Sequence, residues 1–398
     1  MSSHEPHGQH ELTSQGAPPG LRRARAATSA IFLLFGAALG AWTARLPAIK
    51  QNLALSDGTL GLALLAFALG AIVGMQVAGR LVDRLGSARV MLPVAVAEGV
   101  GLVLPGFAPD LVALAVSLVL FGVVHGALNI AMNANAVEVQ RAWGRPIITS
   151  FHAVYSIGGF IGAAAGGLFA AANLSARTTF VCIGAALLVI SLVAGRWFLR
   201  TPPTLAESGE SGRPTGVLLL GVLAFCCLVG EGAAADWSTV YLRDGLDSSP
   251  GFAAAAYAAF AIAMMAGRLV GDRLAARLGQ IPLVRGSAAL AALGLAAALI
   301  GGPPLVGVLG FGCLGAGLAC IAPQVFAAAG ERNPAHAGRA IARVAAVGYA
   351  GFLVGPVAIG AAAELVSLRW ALLIPVVLTA FVAITAHALR PKTGAATA

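Results

Sequence analysis

The chain has 398 residues, of which 59% are hydrophobic and only 10% are charged, and its mean hydropathy is +0.88. Because a soluble domain carries about a quarter charged residues, this composition excludes an ordinary soluble protein and indicates a protein surrounded by lipid. The net charge of +9 would favour a nucleic-acid partner in a soluble protein. Here the positive charges are expected to flank membrane spans, so the lipid bilayer is the predicted partner and nucleic acid is not.

Twelve apolar segments are long enough to cross a bilayer, whose core of about 30 Å requires roughly 20 apolar residues in a helix. Backbone polar groups in lipid have to be satisfied within their own segment, so the predicted fold class is an all-α membrane protein. The predicted spans are, in chain order, 26–46, 58–78, 90–107, 110–136, 146–172, 177–198, 216–240, 251–270, 282–301, 304–329, 339–363 and 367–388.

Charges in the connections predict the orientation of the spans. With both termini in the cytoplasm, all but five of the 25 Lys and Arg residues fall on cytoplasmic segments, which is the bias that the positive-inside rule describes. We therefore expect a multi-pass protein of the bacterial inner membrane. The five residues expected outside are Arg45, Lys50, Arg177, Arg243 and Arg369.

Two polar segments divide the chain. Residues 1–20 are rich in Pro, Gly and polar side chains and are expected to form a disordered cytoplasmic tail rather than a metal site. Residues 200–215 form the longest polar interruption and separate six spans from six. The predicted domains are thus a six-helix bundle at 21–199, a cytoplasmic linker at 200–215, a second bundle at 216–390 and a tail at 391–398.

A repeat relates the two bundles. "AGRLVDR" at 78–84 is echoed by "AGRLVGDR" at 266–273, and both copies are expected in the turn that follows the second span of their half. Trp42 at the end of span 1 matches Trp237 in span 7, and Tyr155 in span 5 matches Tyr349 in span 11. Three matches at offsets near 190 residues indicate a duplicated six-helix unit, which is the construction of one large class of transporters.

The stretch "GRLVDRLGSAR" at 79–89 resembles the loop signature of the major facilitator superfamily, G-x-L-x-D-R-x-G-x-x-[RK]. The matching positions are Gly79, Leu81, Asp83, Arg84, Gly86 and Arg89. The resemblance covers residues 26–390 and implies two six-helix bundles related by a pseudo-twofold axis. "GEGAAADWSTVYLRD" and "GRPIITSFHAVYSIGG" are similar to a bacterial branch near the fucose-permease-like sugar transporters.

The resemblance also implies a cytoplasmic gate. Gly79 and Gly86 would allow tight packing and turning, while Asp83 would face the positive end of a helix in the opposite half and stabilise the outward-facing state. Arg84 and Arg89 would be its neighbours at the lipid surface. In the second copy Gly271 is inserted before Asp272 and Arg273, so a weaker match to the signature is expected there, although both residues are assigned to the gate. The alternative is that these charges only anchor the loops.

Polar side chains within spans predict the solute path, because a charged or polar group inside a membrane usually faces a cavity. His125, Asn129 and Asn133 follow one another at intervals of four residues on span 4 and share one helix face. They are predicted to contact substrate, although hydrogen bonds between helices would also account for them. Further substrate-binding candidates are Trp42, Tyr155, Trp237 and Gln324.

Span 7 carries the candidates for proton coupling. Glu231 is expected just past the membrane midplane, and Asp236 lies about a turn and a half further out. Because burial disfavours the charged form of a carboxyl group, a membrane glutamate can exchange protons near neutral pH. Glu231 is the first candidate and Asp236 the second, with an outer gate to Arg45 or Arg243 as the alternative for Asp236.

These features together predict a secondary transporter that moves a small polar solute, such as a sugar or a related metabolite, by alternating access with protons as the coupling ion. A proton antiporter that exports drug-like compounds or metabolites is one alternative, and a sensor or flippase with a transporter fold is another. The sequence contains no nucleotide-binding P-loop and no catalytic domain. We therefore predict neither an enzyme nor a cofactor nor a metal site, and expect a monomer.

Overall fold

Twelve long helices make up the computed structural model, which describes residues 18–55, 57–201, 217–300, 302–332 and 336–390. All twelve are long and apolar enough to cross a membrane. In chain order they are α1 Pro19–Asn52, α2 Asp57–Leu85, α3 Ser87–Val103, α4 Leu111–Trp143, α5 Ile148–Ala171, α6 Ala176–Ala194, α7 Val217–Val240, α8 Pro250–Leu278, α9 Gln280–Ile300, α10 Pro304–Arg332, α11 Ala337–Val366 and α12 Leu368–Leu389. The prediction of an all-α membrane fold with twelve spans is confirmed.

Local sequence signals explain where several helices begin and end. The side chains of Asp110 and Ser175 accept hydrogen bonds from backbone N–H groups in the first turns of α4 and α6, which is the usual role of an N-cap residue. Gly86 and Gly144 follow α2 and α4 with φ of 87° and 72°. Glycine adopts these angles without the steric cost that other residues have.

The two halves of the molecule, α1–α6 and α7–α12, are packed in the same way. In the first half α1 packs on α5, α2 on α4 and α3 on α6; in the second half α7 packs on α11, α8 on α10 and α9 on α12. Adding six to each helix number converts one set of pairs into the other. The duplication expected from the sequence is therefore present in the packing.

Glycine residues allow the closest helix pairs within the first half. Gly158 and Gly162 of α5 face the α1 backbone, and a Cβ atom at Gly162 would lie 2.7 Å from the Cα of Ala37. Small residues at helix interfaces allow such close approach in membranes, where van der Waals packing drives association.

One end of the bundle is here called the linker side, because α6 ends and α7 begins there. Residues 19 and 390 lie at the same end, since each half contains an even number of spans. Most of the predicted linker, together with residues 1–17 and the tail at 391–398, falls outside the described residues. The helix that begins at Pro19 takes in the last two residues of the predicted N-terminal tail.

Helix ends at the linker side differ from the sequence prediction. We expected α2 to end at residue 78 and α8 at residue 270, with turns beginning at the "AGRLV" copies although the predicted span 251–270 included the second one, but the helices continue to Leu85 and Leu278. Both copies are therefore helical. The continuation is stabilised by contacts with the other half of the protein, because α2 packs on α11 and α8 packs on α5.

Candidate functional site

The first contact between the halves joins the end of α2 to the beginning of α11. Asp83 accepts hydrogen bonds from the backbone N–H groups of Gly338 and Arg339, at 2.8 and 3.3 Å, and from Nε of Arg339 at 2.6 Å. The Asp83 side chain is only 6% exposed. A carboxylate at a helix N-terminus is favoured by the partial positive charge of the unpaired N–H groups, so this contact fixes α2 to the opposite half.

A second contact of the same kind joins α8 to the beginning of α5. The two carboxylate oxygens of Asp272 accept the backbone N–H groups of Thr149 and Ser150, at 2.7 and 2.9 Å. The two contacts are equivalent in the two halves, because α8 corresponds to α2 and α5 corresponds to α11. The extra residue Gly271 lies against Thr149 and Cys320, where a Cβ atom would not fit.

The other residues of the predicted gate have different surroundings. Gly79 lies within α2 rather than in a turn, and a Cβ atom there would lie 2.7 Å from that of Ala342. Gly86 forms the turn. The side chains of the three remaining basic residues are exposed at the linker side: Arg84, Arg89 and Arg273.

Further hydrogen bonds between the halves lie at the same end. Arg141 of α4 donates to the Gly330 carbonyl at 2.6 Å. Gln324, a predicted substrate-binding residue, is 1% exposed and donates to the hydroxyl of Thr149 at 3.3 Å. On the opposite side of the protein, by contrast, Arg45 and Trp237 donate to carbonyl groups of their own halves, at Leu174 and Pro356. The described contacts therefore close the linker side.

At mid-depth the halves are connected by Arg268 of α8. Its Nη1 donates to the hydroxyl of Ser156 on α5 at 2.6 Å, and its Nη2 lies 3.5 Å from Oε1 of Glu231 on α7. The arginine side chain is 9% exposed and the glutamate side chain 20%. Arg268 lies about 15 Å from the linker-side end of α8, at 1.5 Å per residue. A charged group is thus held inside a membrane span between the two halves.

Tyrosine hydroxyl groups surround this cluster. Tyr155 of α5, Tyr257 of α8 and Tyr349 of α11 all lie within electrostatic range of Glu231. Tyr349 also lies close to the side chain of Asn129 of α4. Of the predicted substrate-binding residues, Tyr155 therefore lies within electrostatic range of the predicted coupling residue Glu231, and Asn129 lies near Tyr349.

His125 lies elsewhere, inside the first half. Its Nδ1 is 2.6 Å from Oε1 of Glu98 on α3, and both side chains are only 1% exposed. Phe35 stacks on the imidazole with ring centroids 3.8 Å apart, and Phe67 and Phe121 complete the surroundings. The structure therefore places His125 in packed protein rather than beside Arg268.

Asn133 continues the polar face of α4 toward the linker side. It is fully buried and donates through Nδ2 to the backbone carbonyl of Asn129, while its Oδ1 lies 3.2 Å from Nε2 of His152 on α5 and accepts a hydrogen bond in the tautomer that carries a proton there. The polar face of α4 predicted from the spacing thus divides, with His125 turned toward α3, Asn129 toward α11 and Asn133 toward α5.

The remaining candidates lie toward the side opposite the linker. Trp42 is 3% exposed and packs on Phe180 within the first half. Trp237 is partly buried and packs against Gly360 of α11. Asp236 is exposed and lies within electrostatic range of Tyr257. No group of three potential metal ligands occurs among the residues that the structure describes.

Sequence reasoning missed two residues of the mid-depth cluster. Arg268 was counted among the cytoplasmic charges because it belongs to the repeated "AGRLV" stretch, and the apolar residues around it were the only signal of its depth. Ser156 was a weak signal, since a lone serine in a membrane helix usually bonds to its own backbone. The cluster could not be assembled from the sequence because its members lie 37 and 112 residues apart.

A family model described as Major Facilitator Superfamily matches residues 27–337 and 220–397. The chain is 36% identical to a protein of Sinorhizobium fredii named uncharacterized transporter y4wD, over 90% of this chain and 96% of that protein. It is also 32% identical to the membrane protein MosC of Rhizobium meliloti, over 89% of this chain and 87% of that protein.

Among solved structures, the chain is similar to a crystal structure of FucP in the outward conformation. The TM-score is 0.79 at 17% sequence identity, and the match covers 92% of this chain and 98% of that one. At this identity the similarity concerns the fold alone.

Proposed function

The chain belongs to the major facilitator superfamily of membrane transporters, and on this premise we propose that it moves a small polar solute across a bacterial cell membrane by alternating access, coupled to protons. The observation that supports this proposal best is the cluster of Arg268, Glu231 and Ser156. It lies between the halves at mid-depth, which is where transporters of this construction bind solute. The protein is proposed to act as a monomer.

The proposed topology places the linker side in the cytoplasm. Arg84, Arg89 and Arg273 are exposed at that end, in agreement with the positive-inside rule. The hydrogen bonds of Asp83 and Asp272 would then close the cytoplasmic side, and the described conformation would be outward-facing. The similarity in fold to FucP in its outward conformation supports this assignment.

Glu231 is the proposed proton site. It lies beside a buried arginine at the junction of the halves and is 20% exposed, whereas the Glu98 side chain is 1% exposed. A carboxyl group that is reachable from one side in each conformation can take up a proton on one side and release it on the other. FucP of E. coli is described as a fucose:proton symporter, which is consistent with a coupled mechanism here.

A solute screen in proteoliposomes with an imposed pH gradient tests this function. We expect gradient-driven accumulation of at least one polar solute by the unmodified protein, and loss of accumulation with Glu231→Gln. Glu364→Gln is the matched control, because Glu364 is an exposed glutamate at the end of α11. Uptake that responds neither to the gradient nor to Glu231→Gln would contradict proton coupling through Glu231. Export of apolar compounds in exchange for protons would contradict solute uptake.

A further inference from the structure

Arg268 has more hydrogen-bond donors than the protein uses. The guanidinium group carries five N–H donors, of which Nη1 donates to Ser156 and Nη2 faces Glu231. Its Nε is buried, and among the described residues it finds no hydrogen-bond partner. A buried donor without a partner costs free energy, so the structure has a group at mid-depth that is ready to bind an acceptor.

The contact between Arg268 and Glu231 is a weak one for an ion pair. A single Nη2–Oε1 distance of 3.5 Å joins them, whereas charge-assisted N–H···O bonds are usually about 2.7–2.9 Å long and arginine often binds a carboxylate through two parallel bonds. Glu231 therefore neutralises Arg268 without forming two parallel bonds to the N–H groups along the edge of its guanidinium plane. Another carboxylate that reached the site could form the paired bonds that Glu231 does not form.

The charge of the site limits which solutes fit. Arg268 and ionised Glu231 sum to zero. If an anion bound to Arg268, ionised Glu231 would lose its counter-charge in a poorly hydrated place, and proton uptake would remove that cost. Arginine, anion and protonated Glu231 again sum to zero. A neutral solute that left the ion pair intact would not change the charge next to Glu231. Its binding would therefore not favour protonation of Glu231.

Few other groups compete with Glu231 for this proton. The tyrosine and cysteine side chains nearby are ordinarily neutral at pH 7. The titratable and charged groups that face Glu231 are Arg268 and Tyr257 on α8, Tyr155 on α5, Tyr349 on α11 and Cys227 on α7 itself. His152 of α5 also lies within electrostatic range of Arg268, so the assignment of the proton to Glu231 requires that Glu231→Gln abolishes proton uptake while acid binding remains.

On the premise of the transport function proposed above, we propose that the solute is a small hydroxylated carboxylic acid whose carboxylate binds Arg268 and displaces Glu231. Glu231 then takes one proton from the aqueous phase on the open side. The acid anion and the proton cross together and leave on the other side, where Glu231 releases the proton and returns to Arg268. The hydroxyl groups of Tyr155 and Tyr257, which lie within electrostatic range of Glu231, are proposed to bind the hydroxyl groups of the solute.

Calorimetry on the purified full-length protein tests the solute class and the proton together. The probes are D-glucuronate, D-galacturonate and D-gluconate, with D-glucose and D-galactose as neutral counterparts of the same size. We expect binding of at least one acid and of neither sugar. Titration in two buffers that differ in their heat of ionisation should show uptake of about one proton per acid bound, because binding and protonation are linked.

Variants at the two positions distinguish the role of Arg268 in acid binding from the role of Glu231 in proton uptake. Arg268→Gln should weaken acid binding by about 100-fold, as expected for loss of one partner of a buried charged pair, and Arg268→Lys should retain part of it because lysine keeps the charge but not the planar fork. Glu231→Gln should bind the acid without proton uptake. Arg343→Gln is the matched control, since Arg343 is an exposed arginine of α11, and should behave as the unmodified protein. Because Arg268→Gln could misfold, Ser156→Ala provides a milder variant that should weaken acid binding by a few-fold.

The results distinguish this inference from the transport function itself. A neutral sugar that binds and accumulates in proteoliposomes, with no binding of the acids, would overturn the inference and leave transport intact. Acid binding without proton uptake by the unmodified protein would overturn the displacement of Glu231. Absence of acid binding overturns the inference in every case, and absence of all solute accumulation would overturn the transport function as well.

Discussion

Removal of the charge of Asp83 should open the linker side. Asp83→Asn keeps the size of the side chain and one acceptor oxygen for the N–H groups of Gly338 and Arg339, but it removes the attraction of the carboxylate for the helix N-terminus and for the Arg339 guanidinium. The substitution removes these two favourable contributions from the free energy of the closed state. It does not change the free energy of the open state, in which the contact is absent. The equilibrium should therefore move toward the state in which the linker side is open.

The size of this shift follows from the exposure of the two partners. A carboxylate at a partly buried helix N-terminus contributes about 0.3–2 kcal/mol, and Asp83 is 6% exposed. Arg339 is 43% exposed, so its ion pair adds only about 0.2–1 kcal/mol. Because part of the hydrogen bonding survives in asparagine, we expect a net change of about 1–2 kcal/mol, which corresponds to a factor of about 5–30 in the equilibrium constant.

A native thiol reports on this equilibrium. Cys320 is 2% exposed and lies beside Gly271 next to the second contact between the halves. In a protein whose other four cysteines are replaced by alanine, the rate at which N-ethylmaleimide modifies Cys320 should rise with Asp83→Asn by the same factor of about 5–30. Arg84→Gln is the control, because it removes one charge from the same turn where the side chain is exposed.

A labelling rate for Asp83→Asn equal to that of the unmodified protein would refute the reasoning. It would mean that the carboxylate contributes as much to the open state as to the closed one. An equal rise with Arg84→Gln would refute it differently, since it would assign the effect to charge in the turn rather than to the contact with α11.

Three further predictions follow from other contacts. Asp272→Asn should raise the same labelling rate by about 5–10-fold, and in the double variant this factor should multiply that of Asp83→Asn, because distant contacts without shared partners contribute additively to the free energy. Glu98→Ala leaves a buried imidazole without its partner and should destabilise the protein by about 1–3 kcal/mol, seen as a lower midpoint of thermal unfolding in detergent; an unchanged midpoint would contradict this. Gly162→Leu should abolish a monodisperse peak in size-exclusion chromatography because a side chain there meets the α1 backbone, whereas Gly167→Leu on the same helix, where a Cβ atom has nothing within 4 Å, should not.

The twelve spans and the duplication were predictable from the sequence because both depend on local composition and on spacing along the chain. The acid of the first gate was also predictable, since the motif around Asp83 specifies a residue type at a fixed place in the fold. Helix ends were not. The last turns of α2 and α8 contain charged residues such as Asp83 and Asp272, and contacts with the other half keep them helical where composition alone predicts a turn.

The site was predictable only in part, because a periodic pattern gives a helix face but not the neighbour that the face meets. The spacing of His125, Asn129 and Asn133 correctly places them along one side of α4. That side meets α3, α11 and α5 at successive depths, so the three residues have different partners. Arg268 was misplaced for a related reason, since its sequence context is that of a gate and only the tertiary structure positions it at Glu231.

The duplication accounts for closure of the linker side but not for the chemistry at mid-depth. Asp83 and Asp272 make equivalent contacts with helix N-termini, so each half contributes one. The position that corresponds to Glu231 in the first half, 195 residues earlier, is Gly36, which packs against the backbone of α5, and the position that corresponds to Arg268, 188 residues earlier, is Arg80, which is exposed. Only the second half therefore brings a buried arginine and a carboxyl group to the junction. One such pair is sufficient for solute and proton to meet at one site, because arginine, bound anion and protonated Glu231 already sum to zero charge.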